Sequence, residues 1–394
     1  MLSQTRRRQV IELCQSLIQA KSYSGEEREA AEVLEIFFRN MGFADVLVDK
    51  YGSCLGHMKG CRPGPHLLFD GHLDTVPVTD LTAWSHDPFG AEIVGDRIYG
   101  RGASDMKGAL AAMAAAAAFY ARDTEGGFPG EIYVAGTVYQ EYFEGVAARE
   151  ISVRAEPDYV IIGEASGLDL RTGQRGRAEI VVEAFGSPAH SANPEKGLNA
   201  VYKMCRVIER IKELPPNRHP VLGQGILELT DIISSPYPGV SVVPDYCRAT
   251  FDRRLLTGET KESILGPIKA LLDEMMAEDP TLAARTALAS DSRLCYTGQE
   301  IRAERFFPGW LYGEDEDFIQ AVYREMAAGG HRPCFSRYNV CTNGSHYAGE
   351  AGLKTLGLGP SRESQTHTID EYIEISQLLD AVEAYMAVMR ALLK

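Results

Sequence analysis

At 394 residues the chain exceeds what one hydrophobic core comfortably organises, so two domains are expected. A formal net charge of -15 excludes nucleic acid and anionic membrane as partners, because both demand clustered cations. The eight cysteines are scattered without a CxxC pair, which suits reduced thiols and a cytoplasmic setting better than a disulfide framework.

Arg6, Arg7 and Arg8 come first, but Glu12 and Gln15 interrupt the apolar residues that follow, so no signal peptide is indicated. Val10, Leu13, Cys14, Leu17 and Ile18 instead mark one face of a helix. Residues 30–41 then read as helix, 67–70 as a buried strand, and the alanine-rich run 109–120 as a helix packed closely against a sheet. Residues 131–138 and 159–162 follow as further strands. Such alternation predicts an α/β domain with a mostly parallel sheet flanked by helices.

From about Ala178 to Ala289 the grammar becomes strand, helix, strand, strand, helix, strand. Residues 179–185, 226–233, 247–252 and 285–289 supply the strands. Val201, Met204, Cys205, Ile208 and Ile211 mark the first helix, and Ile264 through Met276 the second, with Pro267 expected in its first turn. This is the split βαβ order of a small α+β ferredoxin-like unit. Beyond Ser290 the first grammar resumes, with helices at 316–327 and 375–393 and a strand at 354–358. The expected organisation is an α/β domain formed by 1–177 and 290–394, interrupted by an inserted domain at 178–289.

The stretch LLFDGHLDTVP, residues 67–77, ends an apolar strand at Gly71, where the backbone is expected to turn, and delivers His72 and Asp74 at the carboxyl end of a sheet. Open α/β folds keep their sites there. Asp105 lies in the glycine-punctuated loop GRGASDMKG, Glu141 follows EIYVAGTV, Glu164 follows YVIIG, and His367 lies in a loop after TLGLGP. Any one of these acidic loop ends reads equally well as a helix cap. Two imidazoles and three carboxylates from five segments read together as a nitrogen and oxygen donor set suited to zinc, with cobalt or manganese as alternatives. One carboxylate bridging two ions about 3.5 to 4 Å apart would make a co-catalytic pair. Asp74 is placed to hold the second ring nitrogen of His72. Gly-x-Ser-x-Gly and phosphate-loop motifs are absent, and His57, His66, His86, His219, His331 and His346 read as structural or exposed.

With these residues in view, the chain resembles the acetylornithine deacetylase, succinyl-diaminopimelate desuccinylase and carboxypeptidase G family of di-zinc amide hydrolases, peptidase family M20. The resemblance runs in order through GHLDTVP, GRGASDMKGALAA, IGEAS, GSPAHSANPEKGLNA and GPSRESQTHTIDEY. It is strongest to the branch carrying GQRGR at 173–177 and TNG at 342–344. It implies a zinc-peptidase-like fold whose inserted domain is a dimerisation lid. His72 with Glu164, and Glu141 with His367, would each complete one zinc site, with Asp105 bridging. It further implies that His190 crosses a homodimer to stabilise an oxyanion. Arg254 and Asn343 would contact substrate, a small N-acyl amino acid or dipeptide attacked by a metal-bridging hydroxide. The implied types are deacylase, aminoacylase or carboxypeptidase.

One position breaks the pattern. The family places two adjacent glutamates after this strand, a general base and then a ligand, and counting from Gly136 and Gly145 puts Gln140 at the base position and Glu141 at the ligand position. The shifted register would make Glu141 the base and Tyr142 a ligand, and a neutral phenol replaces a carboxylate poorly. Glutamine has no basic oxygen for a proton, so the catalyst as written is expected to be crippled, or the chain a metal- and ligand-binding relative without turnover.

Overall fold

A computed structural model describes residues 2–394 and divides the chain into two compact units. The first comprises the chain up to Gln174 with Ser292–Ile301 and Leu311–Lys394, and the second comprises Arg175–Asp291 with Arg302–Trp310. Residues 302–310, expected in the outer domain, therefore lie with the inserted unit, because Phe306 and Phe307 pair with Ala178 and Arg177.

Helix α1 (Gln4–Gln19) is capped by the Ser3 side chain and buries the face its periodicity marks. α2 (Arg28–Met41) buries Ala30, Ala31, Leu34 and Phe38 and stops at Gly42, whose left-handed backbone ends the helix. Strands β1 (Asp45–Val48), β2 (Cys54–Lys59) and β3 (Arg62–His72) follow, then α3 (Gly108–Asp123), β4 (Pro129–Thr137), α4 (Ala148–Ala155), β5 (Tyr159–Ile162) and β6 (Leu170–Gln174). The second unit supplies β7 (Gly176–Phe185), α5 (Ala200–Lys212), β8 (Ile226–Ser235), β9 (Tyr246–Leu255), α6 (Lys261–Glu278), β10 (Ala283–Leu288) and β11 (Phe306–Phe307). The first unit is completed by α7 (Asp317–Ala328), β12 (Phe335–Tyr338), β13 (Lys354–Gly357) and α8 (Ile375–Leu392).

The central sheet runs in the order β1, β2, β4, β3, β5, β13, β6, with β12 beside β6. β4, β3, β5 and β13 are parallel, so their carboxyl ends share one edge. The apolar run 67–69 is fully buried at its middle. β3 does not turn at Gly71. It continues to His72, paired with Thr137, and a Cβ at Gly71 would lie 2.9 Å from Met106 Cε, so the glycine serves close packing. α3 is buried all round because its alanines let it lie against α1 and α8 as well as the sheet. Among the described residues no helix is long and apolar enough to cross a membrane.

The second unit is an antiparallel sheet in the order β8, β9, β7, β10, with α5 and α6 contributing Met204, Val207, Ile211, Ile264, Ile268 and Leu271 to its core. That order and the βαββαβ succession are those of a ferredoxin-like unit. Pro267 sits inside α6 and not in its first turn, because a capping box at Thr260 and Ser263 starts the helix before Lys261.

Candidate metal centre

At the carboxyl edge of the parallel strands, all within the first unit, the five predicted side chains form an alternating row. His72 Nε2 lies 3.6 Å from Glu164 Oε1 and 3.1 Å from Asp105 Oδ1. His367 Nε2 lies 3.2 Å from Asp105 Oδ2 and 3.0 Å from Glu141 Oε1. Asp105 thus gives one oxygen to each imidazole and stands at the centre. Donor atoms of His72, Asp105 and Glu141 all lie within 4.8 Å of one another. His72 is buried, whereas the His367 side chain is 47% exposed and forms the open rim.

The electrostatics test whether these residues suit cations. Burial opposes charge on His72, yet the hydrogen bond to Asp105 and the Glu164 charge hold its pKa well above the usual value. Hydrogen bonds to Asp105 and Glu141 push His367 up to about 10. Burial, then the Asp105 charge, pushes the Glu164 carboxyl well above the usual range, and the same pair of causes raises Glu141. Asp105 is held low despite its burial, by the hydrogen bonds from His367 and His72. Three carboxylates at this spacing require positive charge among them, which protons on two rings supply to the protein alone. Two divalent cations fit the same demand and the same nitrogen and oxygen donors.

Gln140 is 5% exposed and its Nε2 donates to Glu164 Oε1 at 3.3 Å. Tyr142 is 40% exposed with Arg293 over its ring, so the row is built with Glu141 and not with Tyr142. Asp74 differs from expectation. The His72 Nδ1 meets the backbone carbonyl of Asp74 at 2.8 Å, while the nearer carboxylate oxygen is 3.6 Å away. That carboxylate instead accepts from the backbone N–H of Gln140 (2.9 Å) and Glu141 (3.1 Å) and from the Ser24 hydroxyl (2.6 Å). Asp74 therefore fixes the turn carrying residues 140 and 141.

Asn343, expected at substrate, is engaged elsewhere. Its amide N–H groups donate to Asp70 Oδ2 and Thr137 Oγ1, both at 2.8 Å, and its oxygen accepts from Gly145 N at 2.8 Å. It ties the ends of β3 and β4 to the loop beyond Glu141, and at 3% exposure it has no donor left for a ligand. Thr342 bonds Gln174 Oε1 at 2.6 Å, so the TNG and GQRGR motifs meet within the scaffold. His346 is likewise structural, between Ser152 and Glu350. In the second unit, Arg254 Nε bonds Asp252 at 2.8 Å, and exposed His190 accepts from Ala192 N through Nδ1, leaving Nε2–H as its donor.

Several supporting residues escaped the sequence reading. Glu371 is fully buried, accepts from Ser104 N (2.8 Å) and Asp105 N (3.1 Å), and is paired with Arg101. Burial pushes its carboxyl up to about 7. Asp70, also pushed up to about 7 by burial, is held by Asn343 and by the Tyr347 hydroxyl at 2.9 Å. An acid closing an apolar run, as in LLFD, was the available signal for Asp70; Glu371 lies four residues after His367 in IDEY.

Residues 68–391 match the model of Peptidase family M20/M25/M40. The chain is 30% identical over 380 residues to YgeY of Escherichia coli K12, described as uncharacterised, covering 94% of this chain and 91% of that protein. It is 27% identical over 391 residues to a succinyl-diaminopimelate desuccinylase of Dinoroseobacter shibae, covering 96% and 98%. The fold is similar to that of the Bacillus subtilis YXEP protein, described as a dinuclear metal-binding peptidase, with a TM-score of 0.71, 12% identity and 100% of each chain covered.

Proposed function

The chain belongs to peptidase family M20/M25/M40, and from that premise we propose that it is a two-zinc hydrolase of an amide or peptide bond in a small N-acyl amino acid or dipeptide. The observation that carries this reading is the row Glu164, His72, Asp105, His367, Glu141, in which the central carboxylate faces both imidazoles. His72 and Glu164 would hold one cation, His367 and Glu141 the other, with Asp105 shared; cobalt or manganese suits the same donors. When bound, such a pair supplies Lewis-acid polarisation of the scissile carbonyl and acidifies a water.

The protein's own groups do the rest. Asp74 and Glu371 hold the backbone of residues 140–141 and 104–105, so the donors are fixed before substrate arrives. Residue 140 stands beside Glu164, where a glutamate would take the proton of the attacking water and pass it to the leaving nitrogen. Glutamine cannot, and slow turnover follows. His190, with Nε2–H as its free donor, would stabilise the oxyanion from a second copy. The edge strand β8, with exposed Ile226, Ile232 and Ile233, supports a homodimer through the lid units. Arg254 is the proposed contact to a substrate carboxylate. Free thiols at exposed Cys61, Cys205 and Cys334 support a cytoplasmic location.

Gln140 favours a second reading, a relative that binds metal and ligand without turnover. A panel of N-acyl amino acids and dipeptides, tested on the zinc-loaded protein by hydrolysis and by calorimetric binding, separates the two. Slow but zinc-dependent cleavage supports the hydrolase; binding with no cleavage supports the second reading.

A further inference from the structure

Glu27 is fully buried at the N-terminus of α2, where a short side chain would ordinarily cap its own helix. Its side chain makes no capping bond. Oε1 accepts instead from Gly25 N at 2.9 Å and from Tyr139 N at 3.1 Å, across 112 residues of sequence. Tyr139 carries a left-handed backbone, φ 57°, a conformation that a residue with a Cβ keeps only when its surroundings impose it. With Asp74 on the N–H groups of Gln140 and Glu141, two buried carboxylates hold three successive backbone donors.

The same short segment fits this turn at two more points. Ser24 donates to Asp74 at 2.6 Å, which orients the second carboxylate. Gly25, at φ 94°, lies so close to Tyr139 that a Cβ there would sit 2.4 Å from the tyrosine hydroxyl oxygen, and that hydroxyl is itself fixed on Leu294 O at 2.8 Å. The segment SGEE and the turn 139–141 are therefore complementary through hydrogen bonding and through shape.

We propose that Glu27 is a positioning residue that sets the turn presenting residue 140 and Glu141, acting through the Tyr139 N–H as an acceptor and not as a charge. The inference rests on the reading of the row as a two-cation centre. Two observations support the neutral role: Oε2 is buried without a hydrogen-bond partner, and burial together with the Asp74 charge pushes the carboxyl up to about 8. An amide oxygen at this position accepts the same two bonds.

The test measures zinc affinity by chelator competition on wild-type, Glu27→Leu and Glu27→Gln proteins, with the melting temperature of each zinc-free form recorded. Glu27→Leu is expected to bind the weaker zinc about 10- to 100-fold less tightly, with Glu27→Gln within about 3-fold of wild type. Unchanged affinity in Glu27→Leu, with two ions bound, overturns the inference and leaves the centre standing. Loss in Glu27→Gln equal to that in Glu27→Leu overturns the acceptor role. A wild-type protein that binds no zinc overturns the centre, and this inference with it. If Glu27→Leu does not fold, Glu27→Asp withdraws the oxygen from Tyr139 N by one methylene and is expected to weaken zinc similarly; affinity equal to wild type in that variant overturns the proposal.

Discussion

Replacing Gln140 by glutamate places a proton acceptor beside the row of donors. General-base participation is worth on the order of 10²- to 10⁴-fold, about 3 to 5 kcal/mol of transition-state stabilisation. The geometry also sets a cost. Gln140 Nε2 donates to Glu164 Oε1 at 3.3 Å, and in Gln140→Glu that donor becomes a second carboxylate facing the first. With the Glu164 carboxyl held well above its usual range by burial, the lost bond is one to an uncharged acceptor, worth roughly 0.5 to 1.5 kcal/mol, so the metal-free variant is expected to lose about 1 kcal/mol and melt lower. Bound cations offset the repulsion, and zinc should restore more stability to Gln140→Glu than to wild type. At 5% exposure the new carboxyl would titrate above its ordinary range, giving an acidic limb to the rate profile that wild type lacks. The assay is initial rate against pH on both zinc-loaded forms, with metal content measured by mass spectrometry. Two zinc ions in Gln140→Glu without any gain in kcat would refute the assignment of residue 140.

Three further outcomes are expected. His367 holds its proton up to about 10, so a cation must displace it; apparent affinity should rise with pH between about 6 and 9 and protons should be released, which calorimetry in buffers of different ionisation enthalpy measures. Affinity independent of pH over that range would contradict the pairing of His367 with two carboxylates. Asn343→Leu strands Asp70 Oδ2, Thr137 Oγ1 and Gly145 N, and at about 1 kcal/mol or more apiece should cost about 3 kcal/mol or more in urea unfolding; less than 1 kcal/mol would show that the network is not needed. Ile233→Glu, at a position 55% exposed on β8, should leave monomer stability within about 0.5 kcal/mol while dissociating the dimer in analytical ultracentrifugation; a monomeric wild type at micromolar concentration would contradict the proposed edge pairing.

Much of this architecture is legible in the chain because local rules coincide with global ones. The run LLF is buried on both faces of a parallel sheet, and the acids that follow 131–138 and 159–162 stand at one edge since parallel strands end there together. The alternating row itself was legible only as a list of ligands; that Asp105 divides its oxygens between two rings is a property of distances. What the sequence hides is hydrogen bonding to the backbone across long separations. Asp74 reads as a partner of the nearby His72 ring, yet its carboxylate serves N–H groups 66 and 67 residues away. Asn343, in TNG, reads as a substrate contact, and nothing local reveals that three buried partners occupy it. Pro267 falls inside α6 because the capping box, whose N-cap Thr260 stands seven residues upstream, fixes the helix start more strongly than the proline does. Residues 302–310 rejoin the inserted unit through the short strand Phe306–Phe307 and backbone hydrogen bonds joining Arg305 to Glu179 and Ala289, too short a stretch for any periodicity to register.

Anomalous diffraction at the zinc absorption edge from crystals of the zinc-loaded protein tests the central claim most directly. Two peaks are predicted, one between His72 and Glu164, the other between His367 and Glu141, with an Asp105 oxygen on each. A crystal grown in excess zinc with no peak at Asp105, or with zinc bound only at other residues, would contradict it.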